Sequence, residues 1–344
     1  MTKSAAEEAG LVAAAATGDE DAFRQLVEPA RRELHLLCYS MLGSFHDAED
    51  FLQDAQLKAW RNLHTYDGRA SFSTWMFRVV TNTCLDALRT RRRRVLPQDI
   101  SDARDPALGL GLQRHDIPWL EPFPDAYLPS VDPAAAADLR ESVRLAFVRA
   151  WQLLPPRQRA VLILREVFDW TANEVAAALG TSVAAVNSSL QRARATIDQS
   201  RAQADDPPAR PLRDKQETEM AARYVHAWEA GDMDAIVSML TVDALHAMPP
   251  WPSWFVGREA LRVLYSGYEV WGERPRPGVF RVLPTALNGE LAFAEYCREQ
   301  AGGPYQALAL TVATLDASGT SIVEKVSFVS PELFSKLGFP RILQ

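Results

Sequence analysis

The chain has 344 residues, enough for two or three domains, and 47% of them are hydrophobic, which supports folded cores. The formal net charge of -7 excludes a basic coat over the whole surface, so any nucleic-acid-binding surface must be local. Three cysteines, Cys38, Cys84 and Cys297, match no metal-ligand spacing, and we expect reduced core residues, no metal and no cofactor. Neither a signal peptide nor a membrane-spanning run is recognisable, so we expect a cytoplasmic protein without a membrane partner.

Residues 5–94 are predicted to be helical, because glycine is sparse there and strand alternation is absent. Breaks are expected at Gly18-Asp19, Gly43-Ser44 and Asp67-Gly68. In the helix predicted over residues 47–63, apolar residues recur at helical spacing and leave a polar outer strip. That strip contains Asp50, Gln53 and Asp54. A solvated face would have the same pattern, so the strip alone assigns no function.

Positive charge is concentrated between residues 69 and 94, where seven arginines accompany a single aspartate. A helix predicted to start at Ser73 or Thr74 places three polar side chains on one outer strip, Arg78, Asn82 and Arg89. It ends in four consecutive cations, Arg91, Arg92, Arg93 and Arg94. The helix dipole accounts for one or two of these charges, and the remainder suit phosphates.

Aromatic residues are interleaved with these cations. In the loop, Tyr66 precedes Arg69. Phe72 and Trp75 follow it, at the start of the helix. Aromatic faces next to cations can hold an unstacked base. A core position is the alternative for all three, and it is the favoured one for Trp75.

A proline-rich linker is predicted over residues 96–135, where repeated prolines break any helix. Within it, residues 117–125 alternate apolar, proline and acidic side chains, which favours an extended segment able to lie in a groove. The alternative is that Trp119 and Phe123 pack against a neighbouring domain.

A helix-turn-helix is predicted over residues 154–197. Thr171 and Glu174 form a capping box, Gly180 can close that short helix, and Thr181 or Ser182 can cap the next one. In that next helix, Val183, Val186, Leu190, Ala193 and Ile197 are expected to face inward. The small, polar and basic residues then face outward or flank that face: Ala184, Asn187, Ser188, Gln191 and Arg192. Such a face suits the major groove, although an ordinary bundle helix could also carry it.

The last part of the chain changes character after a second linker, residues 203–214. Two helices are predicted over residues 215–230 and 233–240, followed by a short strand near Leu245 and a helix over 258–271. Four alternating runs then predict strands over residues 279–287, 291–299, 305–315 and 321–329. Asn288-Gly289 between two of them is a strong hairpin signal. Helices followed by a meander of strands indicate an α+β domain.

Several ordered motifs in the first 200 residues resemble the extracytoplasmic-function (ECF) sigma factors of bacterial RNA polymerase. The segments that carry the resemblance are Asp47–Asp50 with Gln53-Asp54 and Lys58–Trp60, Tyr66–Trp75 with Arg78 and Asn82, Leu153–Arg159, Ser182-Val183 and Arg192–Arg194. The resemblance implies sigma region 2 over residues 1–95 and sigma region 4 over residues 136–202. The expected partners are promoter DNA and core RNA polymerase, at the clamp of its largest subunit and at its flap.

Roles for individual residues follow from that resemblance. Asp50, Gln53 and Asp54 would face the polymerase clamp. The minus-ten element would be read and melted by Tyr66, Arg69, Phe72, Arg78 and Asn82, next to the basic run that ends at Arg94. The minus-thirty-five element would meet Ala184, Asn187, Ser188, Gln191 and Arg192, and the linker would pass toward the polymerase active-site cleft. Asn187 stands where the family often has a cation and Ala184 where it often has glycine, so the promoter sequence is not predicted.

The order of elements in residues 215–344 is similar to the SnoaL-like fold, a cone shared by polyketide cyclases and ketosteroid isomerases. Ala227–Asp232 and Ser330–Phe334 add to this resemblance. It implies a mouth, open to a small-molecule ligand, that is lined by Trp228, Met248, Trp251, Trp254, Tyr265, Trp271 and Tyr296. The acid-base candidates near it are His246, Asp243, Glu295 and Glu324.

Three functions are compatible with these patterns. The chain could be an initiation factor whose tail is a regulatory or ligand-sensing module without catalysis. It could be a DNA-binding regulator fused to a catalytic isomerase-like or cyclase-like domain, or a plain operator-binding regulator. The clamp-facing strip and the minus-ten loop favour the first over the third. A carboxylate opposite an oxyanion donor is not recognisable in the tail, so we expect a non-enzymatic sigma factor modulated by its own C-terminal domain.

Overall fold

The computed structural model describes residues 5–129, 133–204, 214–267, 276–300 and 302–344. The chain forms two compact units. The first unit contains Met1–Arg93, Ala126–Val131 and Ala150–Ala204. The second unit contains Arg94–Asp125, Asp132–Arg149 and Asp205–Gln344. Most of the segment that the sequence predicts as a linker therefore belongs to the same unit as the C-terminal part of the chain.

The described residues up to Ala87 form five α-helices, and three of the interruptions between them lie where the sequence predicts breaks. The interruption at Glu28–Ala30 is not among the predicted ones. They are α1 (Ala5–Ala16), α2 (Glu20–Val27), α3 (Arg31–Leu42), α4 (Phe45–Arg61) and α5 (Phe72–Ala87). The side chain of Asp19 caps α2, Gly43 closes α3 in the left-handed conformation with φ 70°, and Ser44 caps α4. Because α5 ends at Ala87, the arginine run follows the helix instead of lying on it.

The next helices include the predicted helix-turn-helix. They are α6 (Pro133–Ser142), α7 (Leu145–Gln152), α8 (Pro156–Glu166), α9 (Ala172–Leu179) and α10 (Val183–Ala204). The capping box is confirmed: Thr171 N–H donates to Glu174 Oε2 over 2.7 Å, and Glu174 N–H donates to Thr171 Oγ1 over 3.3 Å. Gly180 closes α9 with φ 60°, and Ser182 Oγ accepts from Ala185 N–H. Val183, expected inward, is instead half exposed at the first residue of α10.

A buried arginine joins α8 to α3 inside the first unit. Arg159 is buried, and its guanidinium donates to Met41 O over 2.5 Å, to Gln152 Oε1 over 2.7 Å and to Leu154 O over 3.2 Å. Burial lowers its pKa to about 10, and the group still carries its charge at neutral pH. Phe77 of α5 adds edge and tilted contacts to Phe168 and Trp170. The helix-turn-helix therefore packs on the N-terminal helices through one charged and one aromatic contact.

Replacement of Arg159 by Ala is expected to destabilise the first unit by about 3–5 kcal/mol, because several buried acceptors lose their donor. Chemical denaturation of the full chain, followed by tryptophan fluorescence, measures this change. Arg157→Ala is the matched control, since Arg157 is exposed on the same helix and should change stability by less than about 0.5 kcal/mol. Equal losses for the two variants would contradict the structural role of Arg159.

The second unit is an α+β fold in which helices precede the strands. Its helices are α11 (Asp214–Ala230), α12 (Met233–Ser238), α13 (Arg258–Ser266) and α14 (Pro331–Lys336). Its strands are β1 (Leu240–Ala247), β2 (Trp254–Val256), β3 (Phe280–Leu287), β4 (Glu290–Cys297), β5 (Tyr305–Leu315), β6 (Ile322–Phe328) and β7 (Ile342–Leu343). The sheet order is β2-β1-β6-β5-β4-β3, with β1 parallel to β6 and β7 paired to β5. Asn288 and Gly289, with φ of 56° and 67°, form the predicted hairpin turn.

Both faces of this sheet are covered. Helices α11 and α13 pack on one face, which carries Phe293 and other buried apolar side chains. The opposite face carries Val312, Glu324 and Val326, which lie against Leu96 and Leu145. Gln98 Nε2 donates to Glu324 Oε1 over 2.9 Å on that face. Segments 94–125 and 133–149 of the second unit therefore contribute to the outer cover of the sheet.

Candidate functional site

The polar strip expected to face polymerase lies on α4. Asp50, Gln53 and Asp54 are exposed, while Leu52 and Ala55 between them are buried. The side chain of Asp50 remains 61% exposed although His46 Nε2 lies 3.7 Å from its Oδ2. Positions separated by three and four residues share one side of a helix, so the three polar groups form a single accessible strip.

The loop expected to meet the minus-ten element is partly closed by its own contacts. The Tyr66 hydroxyl lies 3.0 Å from Glu8 Oε1 and 2.8 Å from Ala70 O, and burial together with Glu8 raises its pKa to about 12. Arg69 is exposed beside Asp67. Phe72 is 1% exposed and packs against Phe23, Tyr66 and Trp75, so in this structure it occupies a core position.

The basic surface is smaller than the sequence suggests. Its exposed members are Arg78, Asn82, Arg89, Arg92 and Arg93. Arg91 is also accessible, but its Nη1 lies 2.7 Å from Asp47 Oδ2 and its guanidinium lies over the Phe51 ring. Arg94 departs from the expectation: it belongs to the second unit, is 17% exposed at the side chain, and donates to Trp119 O over 2.6 Å. Satisfied by a backbone acceptor there, it is not part of the exposed run.

The outer face of α10 carries the expected polar groups. Ala184, Asn187, Gln191 and Arg192 are exposed, and Ser188 is half-buried. The Arg192 guanidinium donates to Ser188 Oγ over 2.5 Å and to Ser189 Oγ over 3.4 Å. These bonds hold the guanidinium along the helix surface, where it has further donors available for an acceptor outside the chain.

The predicted linker is ordered on the C-terminal domain. Asn288 N–H donates to Phe123 O over 2.7 Å, Phe123 N–H donates to Asn288 Oδ1 over 2.8 Å, and Asn288 Nδ2 donates to Val143 O over 2.8 Å. Trp254 Nε1 donates to Ser101 O over 2.8 Å. Phe123 is fully buried. The packing alternative for the linker is therefore the one observed for Phe123.

The residues expected to line one pocket do not do so together. Trp228, His246 and Met248 are buried on the inner side of the sheet, and Trp251 is partly buried against the same core. Tyr265 is buried in that core as well. Two other members lie elsewhere. Trp254 binds the linker, and Tyr296 points to the other face of β4, where its hydroxyl donates to Pro340 O over 3.0 Å. Strand alternation explains the second case, because Tyr296 follows the inward-facing Glu295. Trp271 lies outside the described residues.

The four acid-base candidates separate in the same way. Asp243 is exposed, and Glu324 lies on the outer face with Gln98. His246 and Glu295 are buried inside the domain. The two ring nitrogens of His246 lie 2.9 Å from Ser327 Oγ and 3.1 Å from the Tyr265 hydroxyl. Burial, with the charge of Lys325, holds the pKa of His246 well below its usual value, so the ring is neutral.

Lys325 is a functional candidate that the sequence patterns missed. It is 1% exposed, and its Nζ lies 5.0 Å from the ring centres of Tyr224 and Trp228 and 5.2 Å from that of Tyr265. Tyr224 in turn donates to Glu295 Oε1 over 2.6 Å. The signal that could have revealed it is a pair of adjacent charges, Glu324 and Lys325, in the middle of a strand. Alternation sends one of them inward whichever face is buried.

A separate cavity of about 660 Å³ lies between the linker and the domain. Its wall includes Trp119, Leu120, Pro250, Leu308 and Val329. This volume suits a small organic molecule. Among the described residues, no group of three or more His, Cys, Asp and Glu side chains is placed to hold a metal ion. No helix within the described ranges is long and apolar enough to cross a membrane.

Comparison with known proteins identifies the parts of this architecture. Family models match at residues 26–94 (Sigma-70 region 2), 144–197 (Sigma-70, region 4) and 221–324 (SnoaL-like domain). The ECF RNA polymerase sigma factor SigG of Mycobacterium tuberculosis is 42% identical over 321 residues, which cover 92% of this chain and 84% of SigG. The chain belongs to the ECF RNA polymerase sigma factors. The operator-binding regulator without a polymerase partner is therefore excluded.

Two further relatives place the sigma factor in its family. SigW of Bacillus subtilis is 29% identical over 180 residues, covering 52% of this chain and 89% of SigW. The crystal structure of SigJ from Mycobacterium tuberculosis superposes with a TM-score of 0.57 at 24% identity, covering 90% of this chain and 97% of SigJ. The SigJ match shows that the fold extends over nearly the whole sigma factor, including the SnoaL-like domain.

The linker contact of this sigma factor carries a titratable group. Asp125 Oδ1 accepts from Gly289 N–H over 2.8 Å, and burial raises the pKa of Asp125 to about 6. Because the folded-state pKa of Asp125 lies above its unfolded value, the Asp125 contact contributes its full stabilisation below a pH of about 4. That stabilisation is lost as the pH rises through about 6. The contact is therefore weaker at neutral pH than at pH 5.

Asp125→Asn should raise the unfolding midpoint of the second unit at pH 7.5, by the equivalent of about 1–2 kcal/mol, because a neutral amide oxygen still accepts the bond. The gain should shrink at pH 5, where the native carboxyl is itself protonated. Scanning calorimetry of the full chain at both pH values measures it. The control is Asp102→Asn at an exposed position in the same linker. An Asp125→Asn variant less stable than the parent at pH 7.5 would contradict the assignment.

Proposed function

We propose that this sigma factor is controlled by its own SnoaL-like domain, which binds the linker and withholds it from polymerase. The observation that supports this proposal is the ordered contact between residues 94–125 and the C-terminal domain inside one compact unit. The linker of related factors is expected to pass toward the polymerase active-site cleft. A linker held on the domain cannot occupy that path at the same time, so the two states exclude one another.

The hydrogen bonds between the linker and the SnoaL-like domain are few enough for the contact to be reversible. The Asn288 bonds at one end are accompanied by Arg104 N–H donating to Trp254 O over 2.8 Å and by Gln98 Nε2 donating to Glu324 Oε1 over 2.9 Å. Each such bond contributes about 0.5–1.5 kcal/mol net, because the unbound groups would be hydrated. Polymerase, or a ligand that favours one state, can shift the populations only by its difference in affinity for the two. The cavity beside Trp119 is a candidate site for such a ligand.

We infer that the C-terminal domain acts without turnover. Its relatives in full-length alignments are sigma factors, and the neutral His246 has both ring nitrogens engaged by Ser327 and Tyr265. An isomerase needs a carboxylate opposite a preorganised oxyanion donor with a substrate between them. Here Tyr224 donates directly to Glu295, so donor and carboxylate are already paired. The protein is inferred to act in the cytoplasm, where the polymerase works.

The polymerase and promoter contacts are proposed from exposure and charge. Asp50, Gln53 and Asp54 are assigned to the clamp of the largest subunit, and region 4 is assigned to the flap and the minus-thirty-five element. Arg78, Asn82, Arg89 and the run Arg91–Arg93 are assigned to the minus-ten region. Tyr66 and Arg69 remain in that set, whereas the buried Phe72 would need the loop to open before it could meet a base.

Mutations are expected to distinguish residues that bind the DNA backbone from residues that recognise bases. Arg92→Ala with Arg93→Ala should weaken open-complex formation on every promoter and reduce the salt dependence, because phosphate contacts carry no base information. Arg192→Ala should instead relax discrimination at one or two upstream base pairs by about 1–3 kcal/mol each. Transcription by core polymerase on single-base promoter variants at several salt concentrations measures both. A uniform loss for Arg192→Ala would argue against base contact.

Release of the linker is expected to raise output. Asn288→Gly keeps a turn in which both central residues have positive φ, but it removes the side-chain bonds to Phe123 and Val143. At limiting core polymerase, promoter output should increase by roughly five- to thirtyfold, which corresponds to about 1–2 kcal/mol of lost linker binding. Ser318→Gly is the matched control, because its bonds are confined to its own turn.

Two results would count against the proposal that the SnoaL-like domain withholds the linker from polymerase. Output from Asn288→Gly could fall below that of the parent while calorimetry shows an intact second unit, in which case the contact supports initiation. Output could also match the parent at every polymerase concentration, in which case the linker contact has no regulatory role. Thermal unfolding of each variant is measured in parallel.

A further inference from the structure

The interior of the SnoaL-like domain contains a buried amine without an acceptor. Lys325 projects from β6 among the rings of Tyr224, Trp228 and Tyr265, and among the described residues its Nζ makes no hydrogen bond. Aromatic faces attract an ammonium ion but accept none of its N–H groups in the ordinary way. A buried polar group left in this state calls for a ligand, a catalytic role or an ordered solvent molecule.

A second unpaired atom lies in the same interior. Glu295 is buried on β4, and while its Oε1 accepts from Tyr224, its Oε2 makes no hydrogen bond in the described part of the chain. The neighbouring polar groups are already committed to one another. Ser327 Oγ lies 2.8 Å from Thr311 Oγ1 and 2.9 Å from His246 Nε2. One amine nitrogen and one carboxyl oxygen, which lie among the aromatic side chains, are thus left without a hydrogen bond to any described residue.

The surroundings set the protonation of both groups. Burial lowers the pKa of Lys325 to about 8, against the attraction of Glu295, and burial raises the pKa of Glu295. The other titratable groups that face Lys325 are His246 on β1, Tyr224 on α11 and Tyr265 on α13, all of which are neutral near pH 7. A desolvated lysine among apolar walls is the form in which an amine becomes a nucleophile at neutral pH.

We propose that Lys325 captures small aldehydes as a covalent imine inside the SnoaL-like domain. The walls favour a compact partner, since Tyr224 stacks on Phe293 at 3.9 Å and Trp228 contacts Phe280 edge-on at 5.4 Å. The aldehyde reaches the amine through side-chain fluctuations of the aromatic walls that leave Lys325 desolvated. A noncovalent anion is disfavoured, because it would share the interior with the Glu295 carboxyl.

The reaction balances without an oxidant or a reductant. The neutral Nζ attacks the carbonyl carbon, the C–N bond forms, and the electron pair of the C=O π bond moves to oxygen. Loss of the carbinolamine oxygen as water takes up both protons of the amine and leaves a C=N bond. Glu295, the buried carboxyl whose charge acts on Lys325, is assigned to accept one of these protons and return it to the departing oxygen. This inference rests on the surroundings of Lys325 and does not depend on control of the linker.

The test uses the full-length protein at pH 7 with propanal and sodium cyanoborohydride, which reduces an imine to a stable amine. The sequence has five lysines, Lys3, Lys58, Lys215, Lys325 and Lys336, so digestion and mass spectrometry give an initial rate for each. At pH 7 an amine with a pKa of about 8 is neutral in roughly one molecule in ten, against roughly one in 2,500 for an ordinary lysine. Lys325 should therefore be modified at least roughly tenfold faster than exposed Lys336.

The controls test whether fast modification of Lys325 depends on its buried environment and on Glu295. In 8 M urea the preference for Lys325 should disappear, because every lysine then has an ordinary environment. Lys336→Arg should leave the rate at Lys325 unchanged. Glu295→Gln should slow modification of Lys325 by roughly tenfold, as expected for loss of a proton-transfer group, while Lys336 reacts as before; equal rates would remove Glu295 from the mechanism.

One result overturns the proposal outright. If native protein is modified at Lys58 and Lys336 while Lys325 stays unmodified or reacts no faster than they do, the buried amine is not a capture site. This comparison is made within the unaltered chain, so it does not depend on whether any variant folds. Lys325→Met should abolish the adduct on the Lys325 peptide and leave the other sites unaffected.

Discussion

The exchange of hydrogen bonds between Asn288 and Phe123 is the contact on which the organisation of the second unit depends. Asn288 sits at the tip of the β3–β4 hairpin with a positive φ, which suits asparagine better than most side chains. Its backbone and amide side chain together bind Phe123 and Val143, and both segments thereby become parts of the C-terminal unit. A turn residue chosen for local geometry is thus also the anchor of a distant linker.

The sheet of the SnoaL-like domain therefore has two faces with different contacts. Part of the outer face of the sheet is covered by residues 94–125 and 133–149, through contacts such as Gln98 with Glu324 and Arg144 with Glu290. The inner face encloses Lys325, Glu295 and their aromatic neighbours. Because the two faces share strands β4 to β6, a change inside the domain could alter the outer surface by small shifts of those strands. Such coupling requires that a ligand bind the linker-held and linker-free states with different affinity.

Local signals predicted much of this structure. The caps at Asp19, Ser44 and Thr171 and the turn at Asn288 depend on a few neighbouring residues, so the sequence around each is sufficient. The failures involve distant partners. Phe72 is buried by Phe23 and Trp75, and Arg94 is bound by Trp119 O, neither of which a local pattern indicates.

The prediction of a single pocket was wrong for a related reason. Tyr296 was assigned to the pocket by residue type and Lys325 was not singled out, whereas the face that each side chain occupies is fixed by strand register. A shift of one residue in that register reverses every side chain. The linker hides the outer face, so buried and exposed positions no longer alternate along β6. A sheet covered on both sides gives the sequence no polar face by which to recognise the interior lysine.

The central claim is that the linker leaves the SnoaL-like domain when the sigma factor engages polymerase. Hydrogen exchange measured on the full chain, alone and bound to core polymerase, tests it most directly. In the free chain the amides of Val95, Arg104, Leu120 and Phe123 should be protected, because each donates within the second unit. Binding should expose the amides of Arg104, Phe123 and Asn288, because each donates between the linker and the domain. Unchanged protection of these three amides in a transcriptionally active complex would contradict the account.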